Sequence, residues 1–301
     1  MKKISIILVV VVLLGVGAYF LVQSFSDNAG VARDPGVATS TPLGGTQTGG
    51  TPSKQGESVI GTSVEGRDIT AYQYGTGDTE LLFVGGIHGG YEWNTVLVAY
   101  DLMDYLKANP DVIPGNVKVT VIPVLNPDGL NKVVGTAGRF AQADVPSSEE
   151  KVISGRFNAN TVDLNRNFDC DWQSAAKWQS KNVSGGSEAF SEPESKALKN
   201  YVEAHKLGAA VVWYSAAGGV FSSSCHNGVS SETRTITNKY AAASGYPAYE
   251  TFNFYEITGD MVNWLAKSNI PAISVLLTTH EDVEWAKNQA GIGALLKYYA
   301  K

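Results

Sequence analysis

The stretch ELLFVGGIHGGYEWNTVLVAYDLMDYLKANP, residues 80 to 110, sets the fold class. ELLFVGGI is a short apolar run of the length expected for a buried strand. From Asn94 onward the apolar residues recur with helical period until Pro110 stops them. Between the two lies a glycine-lined turn carrying His88, one of four histidines in the chain, with Glu92 four positions later. A strand running into a helix through a short turn is the unit of an α/β domain, and in open sheets of that kind the residues just past the strand ends build the site. One His and one Glu in such a turn are weak evidence of chemistry by themselves, so other residues must decide.

The neighbouring sequence repeats the pattern. SVIGTSVEGRDITAYQYG (58 to 75) reads as a β-hairpin around Glu65 and Gly66, and VKVTVIPVLNP (117 to 127) as a strand. SEPESKALKNYVEAHK (191 to 206) reads as a helix with a Ser cap and Pro in its first turn. GAAVVWYS (208 to 215) and IPAISVLLTT (270 to 279) are buried strands, and DVEWAKNQAGIGALLKYYAK (282 to 301) closes the chain as a helix. The expected architecture is a mixed, mostly parallel twisted sheet with helices on both faces.

Of the 301 residues, 44% are hydrophobic and 17% charged, the balance of a globular chain with one good-sized core. The formal net charge is −6 and no block of Lys or Arg occurs, which excludes a nucleic-acid surface because such surfaces need clustered cations. Lys2 and Lys3 precede an apolar run from residue 4 to 25, long enough to span a bilayer. Residues 1 to 25 therefore read as a transmembrane signal-anchor with its N-terminus inside, which predicts a single-pass protein of the cell membrane with its domain outside the cytoplasm. Residues 26 to 56, rich in Gly, Ser, Thr and Pro, form a flexible linker, and residues 57 to 301 the folded domain, expected as a monomer.

Four segments in one order carry a resemblance. They are NPDGL (126 to 130), GRFNANTVDLNRNFD (155 to 169), FSEPES (190 to 195) and YEITGDMVNW (255 to 264), and together they resemble the zinc carboxypeptidases of the carboxypeptidase A type over nearly the whole domain. The opening GTSVEGRDI is similar to the start of bacterial members. The resemblance implies zinc and a cleft that takes the free C-terminus of a peptide. His88 and Glu92 match the first two zinc ligands, although the family spacing is His-x-x-Glu and here three residues intervene. Asn165 and Arg166 match the pair that holds the substrate carboxylate by charge-assisted hydrogen bonds. Arg156 matches the arginine that polarises the scissile carbonyl and stabilises the oxyanion. Tyr255 matches the tyrosine that closes over bound substrate, and Val262 the position that sets specificity, here without charge.

Two positions depart from the pattern. Tyr214 stands where the family has its third zinc ligand, a histidine, and Leu276 where it has the general-base glutamate. Neutral tyrosine is a poor ligand and leucine carries no proton, so zinc is expected to be held weakly or not at all. His226 is a candidate replacement ligand, and His280 or Glu281 a candidate replacement base. Cys170 and Cys225, the only cysteines, fall in the family layout on loops around the cleft and are expected to pair outside the cytoplasm.

Three functions follow. The first is a metallocarboxypeptidase that acts on the C-termini of extracytoplasmic peptides, with hydrolysis impaired. The second is a silent relative that binds those termini, and the third a cell-wall peptide amidase or peptidase.

Overall fold

Alternation along β3 (Thr79–Val84) shows how the domain is layered. Leu81 and Phe83 point to one side of the sheet and Leu82 and Val84 to the other, and all four are buried. A strand that hides both faces needs helices above and below. The protein is described by a computed structural model covering residues 56 to 301. The expected anchor, and the linker up to residue 55, lie outside the described residues. Among the described residues no helix is long and apolar enough to cross a membrane.

The sheet begins with the expected hairpin, β1 (Glu57–Thr62) and β2 (Asp68–Tyr74), paired antiparallel. After β3 come α1 (Trp93–Ala108), β4 (Val117–Ile122), α2 (Pro127–Val134) and α3 (Glu149–Ser154). A separate hairpin, β5 (Ala175–Trp178) with β6 (Lys181–Ser184), precedes α4 (Pro193–Ala204) and β7 (Leu207–Ser215). Then follow β8 (Gly219–Ser222), α5 (Ser231–Ser244), β9 (Ala248–Tyr249), α6 (Met261–Lys267), β10 (Ala272–Leu277) and α7 (Trp285–Tyr299). The eight-stranded sheet has the order β1-β2-β4-β3-β7-β10-β8-β9. Its centre, β4-β3-β7-β10, is parallel, while β1, β2 and β8 join antiparallel. The expected mixed, mostly parallel sheet is therefore present.

Two cores flank it. Residues of α1, α5 and α7 pack with Phe83, Val211, Trp213 and Val275 on one face. Residues of α4 and α6 pack with Leu82, Val212, Tyr214 and Leu276 on the other. Period-two alternation along β7 and β10 thus assigns Tyr214 and Leu276 to the α4 and α6 side. One local expectation needs correction. The N-cap of α4 is Glu192, not Ser191. Pro193 occupies the first helical position, the Glu192 carboxylate is engaged by Asn158 and Asn160, and Ser191 Oγ donates to Glu192 Oε1.

Candidate active-site cleft

The parallel strands β3, β7 and β10 end on one side of the domain, and a cleft of about 870 Å³ opens there. His88 lies four residues beyond the end of β3, and a 3-10 turn (Gly89–Glu92) carries the chain into α1. Gly89 is needed in that turn. Its φ is +46°, and a Cβ there would lie 2.7 Å from the Gly155 carbonyl oxygen. The turn is thereby pressed against the segment that carries Arg156.

Asp163 is the buried hub of the site. Its Oδ1 is 3.2 Å from His88 Nε2, and its Oδ2 accepts from Arg156 Nε at 2.9 Å and pairs with the second guanidinium nitrogen at 2.8 Å. Burial alone would raise the carboxyl's pKa, but the charges of Arg156 and His88 hold it well below the usual carboxylate range. His88 Nδ1 is 3.0 Å from Glu92 Oε1 without hydrogen-bond geometry, so Nδ1 and Glu92 Oε2 are both buried and unpartnered. The helical turn makes good the extra residue between His88 and Glu92, and both side chains line the cleft. A buried imidazole fixed at Nε2 by a carboxylate and open at Nδ1, beside an open carboxylate, is a donor pair suited to a metal ion.

The remaining expected residues are gathered in the same place. Arg156 lies under an aromatic cover, its guanidinium carbon 4.4 Å from the Trp178 ring centre and 5.6 Å from that of Tyr91. Arg166 donates through Nε to the Lys177 carbonyl at 2.8 Å and lies 5.9 Å from the Tyr255 ring. Asn165 donates to Asp260 Oδ2 at 2.9 Å, while its Oδ1 accepts from Met261 N and from the Tyr214 hydroxyl at 3.3 Å. Arg156, Asn165, Arg166, Tyr255 and Val262 all line the cleft.

Tyr214 and Leu276 line it too. Burial and the neighbouring Asp260 and Glu92 raise the Tyr214 hydroxyl well above its ordinary pKa, so it stays protonated and bonded to Asn165. A protonated phenol and a leucine side chain complete no zinc ligand set, and the zinc arrangement of the family fits this chain at two of its three protein positions.

The candidate substitutes separate. His226 is largely exposed, 2.9 Å from Asp171 Oδ1, and is not among the cleft-lining residues. Cys225, the residue before it, is bonded to Cys170, which places His226 beside Asp171 and away from the role of third ligand. Glu281 is exposed and outside the lining. His280 does line the cleft, and its Nε2 is 3.2 Å from the Tyr91 hydroxyl. Burial holds its pKa below the ordinary value, which leaves it a neutral imidazole at pH 7. Cys170 and Cys225 form the expected disulfide, so their sulfurs are consumed by each other and offer no metal site with Asp171.

Sequence reasoning passed over Asp163, Tyr91, Trp178 and Asp260. Asp163 stands within the quoted DLNRNF motif, and that position was its available signal. Trp178 and Asp260 acquire their places through the β5–β6 hairpin and the loop before α6, and Tyr91, one residue before Glu92, through its contacts with His280 and Trp178.

Comparison with known proteins agrees with this layout. A family profile described as zinc carboxypeptidase (Peptidase_M14) matches residues 52–289. Gamma-D-glutamyl-L-diamino acid endopeptidase 1 of Lysinibacillus sphaericus is 27% identical over 222 residues, 65% of this chain and 54% of that protein. Carboxypeptidase Z of Rattus norvegicus is 30% identical over 122 residues, 36% of this chain and 17% of that protein. The matches thus span only about half, or less, of these relatives' own length. Among solved structures, bovine thrombin-activatable fibrinolysis inhibitor superposes with a TM-score of 0.64 at 16% identity, covering 80% of this chain and 89% of that one. The murein-tripeptide amidase of Escherichia coli O157 gives 0.56 at 19% identity, covering 83% and 94%.

Proposed function

The chain belongs to the zinc carboxypeptidase family of peptidases, and on that premise we propose that its cleft captures the free C-terminus of extracytoplasmic peptides, with hydrolysis impaired. One observation carries the reading. The cationic and aromatic parts of the cleft are assembled, while Tyr214 and Leu276 stand inside it where a ligand and a base are required. Arg166 and Asn165 take the terminal carboxylate, Arg156 faces the adjoining carbonyl, Tyr255 closes over the peptide, and Val262 forms an uncharged floor under the last side chain. A bound zinc would supply Lewis acidity toward the carbonyl; His88 and Glu92 are the residues to hold it. Residues 1 to 25 anchor the domain outside the cytoplasm.

A second reading is supported by two of the similar proteins, whose names specify a γ-D-glutamyl-diamino acid bond and a murein tripeptide. Under it the captured terminus belongs to a cell-wall stem peptide. Both readings are tested by measuring binding and cleavage with the full-length protein. The ligands are an ordinary peptide, its C-terminal amide and a murein tripeptide. Binding of the free acid without appreciable cleavage supports the first reading, and selective binding of the murein peptide the second. Failure of both free acids to bind overturns both.

A further inference from the structure

Among the described residues, one place gathers three ligand-type side chains tightly: the sulfurs of Cys170 and Cys225 and a carboxylate oxygen of Asp171 all lie within 4.8 Å of one another. None of the three lines the cleft. While the Cys170–Cys225 bond stands, both sulfurs are taken up by each other and hold no metal. Reduction changes that and frees both.

The carboxylate is already in place. Asp171 Oδ1 is 2.9 Å from His226 Nε2, which leaves Oδ2 beside Cys170 Sγ at 3.8 Å. A carboxylate that binds a metal is commonly held in this way by a partner on its other oxygen. Asp171 and His226 each follow one of the two cysteines, and each has a left-handed backbone, with φ of +52° and +63°. That conformation turns the chain back directly after each sulfur, and both polar side chains come to the exposed side of the bridge. The two loops are also joined to one segment without the sulfurs. Gly259 N donates to the Cys170 carbonyl at 2.7 Å, and Ser224 N donates to Asn263 Oδ1 at 3.1 Å, so the cysteines stay neighbours when their bond is broken.

We propose that reduction of the Cys170–Cys225 bond creates a site for a divalent cation of the zinc type, with Cys170 Sγ, Cys225 Sγ and the Asp171 carboxylate as ligands and His226 positioning Asp171. A dithiol is the reductant. One of its thiolates attacks Cys225 Sγ, and the electron pair of the broken bond leaves on Cys170 Sγ. Its second thiolate breaks the mixed bond, closing the reductant's own disulfide and freeing Cys225 Sγ. Two electrons and two protons thus pass to the protein's sulfurs, and the cation displaces those two protons to solvent. Tetrahedral bonds of about 2.0–2.3 Å set neighbouring ligand atoms roughly 3.3–3.8 Å apart, a spacing the group accommodates once the sulfurs withdraw to ordinary contact. Two thiolates favour zinc over calcium or magnesium. The cation then ties the same two loops that the disulfide tied, so one crosslink replaces the other.

The test uses full-length protein reduced by a phosphine, which gives up the same two electrons, takes its oxygen from water and adds no competing thiol. Cobalt(II) is the probe, because a sulfur-to-cobalt charge-transfer band in the near ultraviolet reports thiolate ligands, and His88 and Glu92 in the cleft cannot produce it. Reduced protein should show the band saturating at one cobalt per chain, zinc should displace it, and oxidised protein should show none. Asp171→Asn should weaken zinc binding at least about ten-fold with the band retained, and His226→Ala should weaken it less, because His226 only positions the carboxylate. Zinc should also shield both cysteines from alkylation and raise the melting temperature of reduced protein toward that of oxidised protein. No arm uses a peptide, so failure of peptide capture leaves the outcome standing. Reduced, folded protein without the band overturns the proposal, as does Asp171→Asn with wild-type affinity. If reduction unfolds the chain, reduction in the presence of zinc decides: a retained cooperative melting transition supports the site, and its loss is the overturning result.

Discussion

Tyr214 and Leu276 stand opposite each other in the parallel register of β7 and β10, side by side where those strands deliver their residues to the cleft. The two departures from the family pattern are therefore a single patch, and changing one without the other leaves the chemistry incomplete. Tyr214→His should raise zinc affinity. The double variant with Leu276→Glu should then gain C-terminal peptide hydrolysis at least about a hundred-fold over the unmodified chain, the lower end of what a positioned acid-base group contributes. Leu276→Glu alone should gain much less. Ordinary enzyme rates in the wild-type protein would show that the patch is not what limits it.

Arg166 is the residue on which peptide capture should depend most. It is buried at the cleft wall, and Gly259 holds the loop before α6 against its backbone, with a positive φ and no room for a Cβ beside the Arg166 carbonyl. Arg166→Ala should weaken binding of a free-acid peptide by about 1.5–3 kcal/mol, the range for a hydrogen bond to a charged group, and leave the already weak binding of the C-terminal amide nearly unchanged. Isothermal titration with both peptides checks this. Equal losses for acid and amide would show that Arg166 acts on the fold and not on the carboxylate.

The amount of this that was legible in the sequence varied with the physics involved. Strands such as ELLFVGGI and AISVLL announce themselves because burial on both faces demands continuous apolar runs, whereas the order in which the strands lie comes from tertiary pairing. The β5–β6 hairpin (AAKW and KNVS) carries no such run, since it packs a few side chains, Trp178 among them, over Arg156 at the domain's edge. His226 illustrates the converse. It looked available as a ligand because it follows the right strand, but the disulfide one residue earlier fixes where its loop lies. His280 was nameable from its position after β10, whereas its bond to Tyr91 depends on tertiary packing that no local pattern encodes.

Glu80 gives a pH dependence that can be worked through. It starts the buried core of β3, where burial raises its pKa. The hydrogen bonds from Lys118, Tyr201 and Thr120 outweigh that effect and lower it below the ordinary value of 4.5. Because the folded state binds the proton less readily than the unfolded chain, Glu80 contributes its full stability above about pH 4.5 and loses it as the pH falls further. Glu80→Gln should cost about 1.5–3 kcal/mol near pH 7 and progressively less toward pH 3. Melting curves of both proteins over that range should converge on acidification. A constant gap would mean that the amide's shape, not the charge, is responsible.

The Cys170–Cys225 bond should matter to both stability and binding, for separable reasons. It closes a loop of 55 residues, for which chain entropy predicts roughly 4 kcal/mol of stabilisation. It also lies within reach of the clamp: the Cys170 carbonyl accepts from Gly259 N at 2.7 Å, and the Gly259 carbonyl accepts from Phe168 N at 3.0 Å, two residues from Arg166. Releasing Cys225 should therefore loosen the backbone that Arg166 and the Tyr255 loop share. Intact-mass measurement after alkylation of unreduced protein should find neither cysteine modified. A Cys170→Ser, Cys225→Ser variant should melt lower and, while still folded well below its transition, bind the free-acid peptide more weakly. His226→Ala, which removes only the exposed partner of Asp171, should do neither. Lower stability with unchanged peptide affinity would confine the bridge to a role in the fold, and two alkylated cysteines in native protein would remove it altogether.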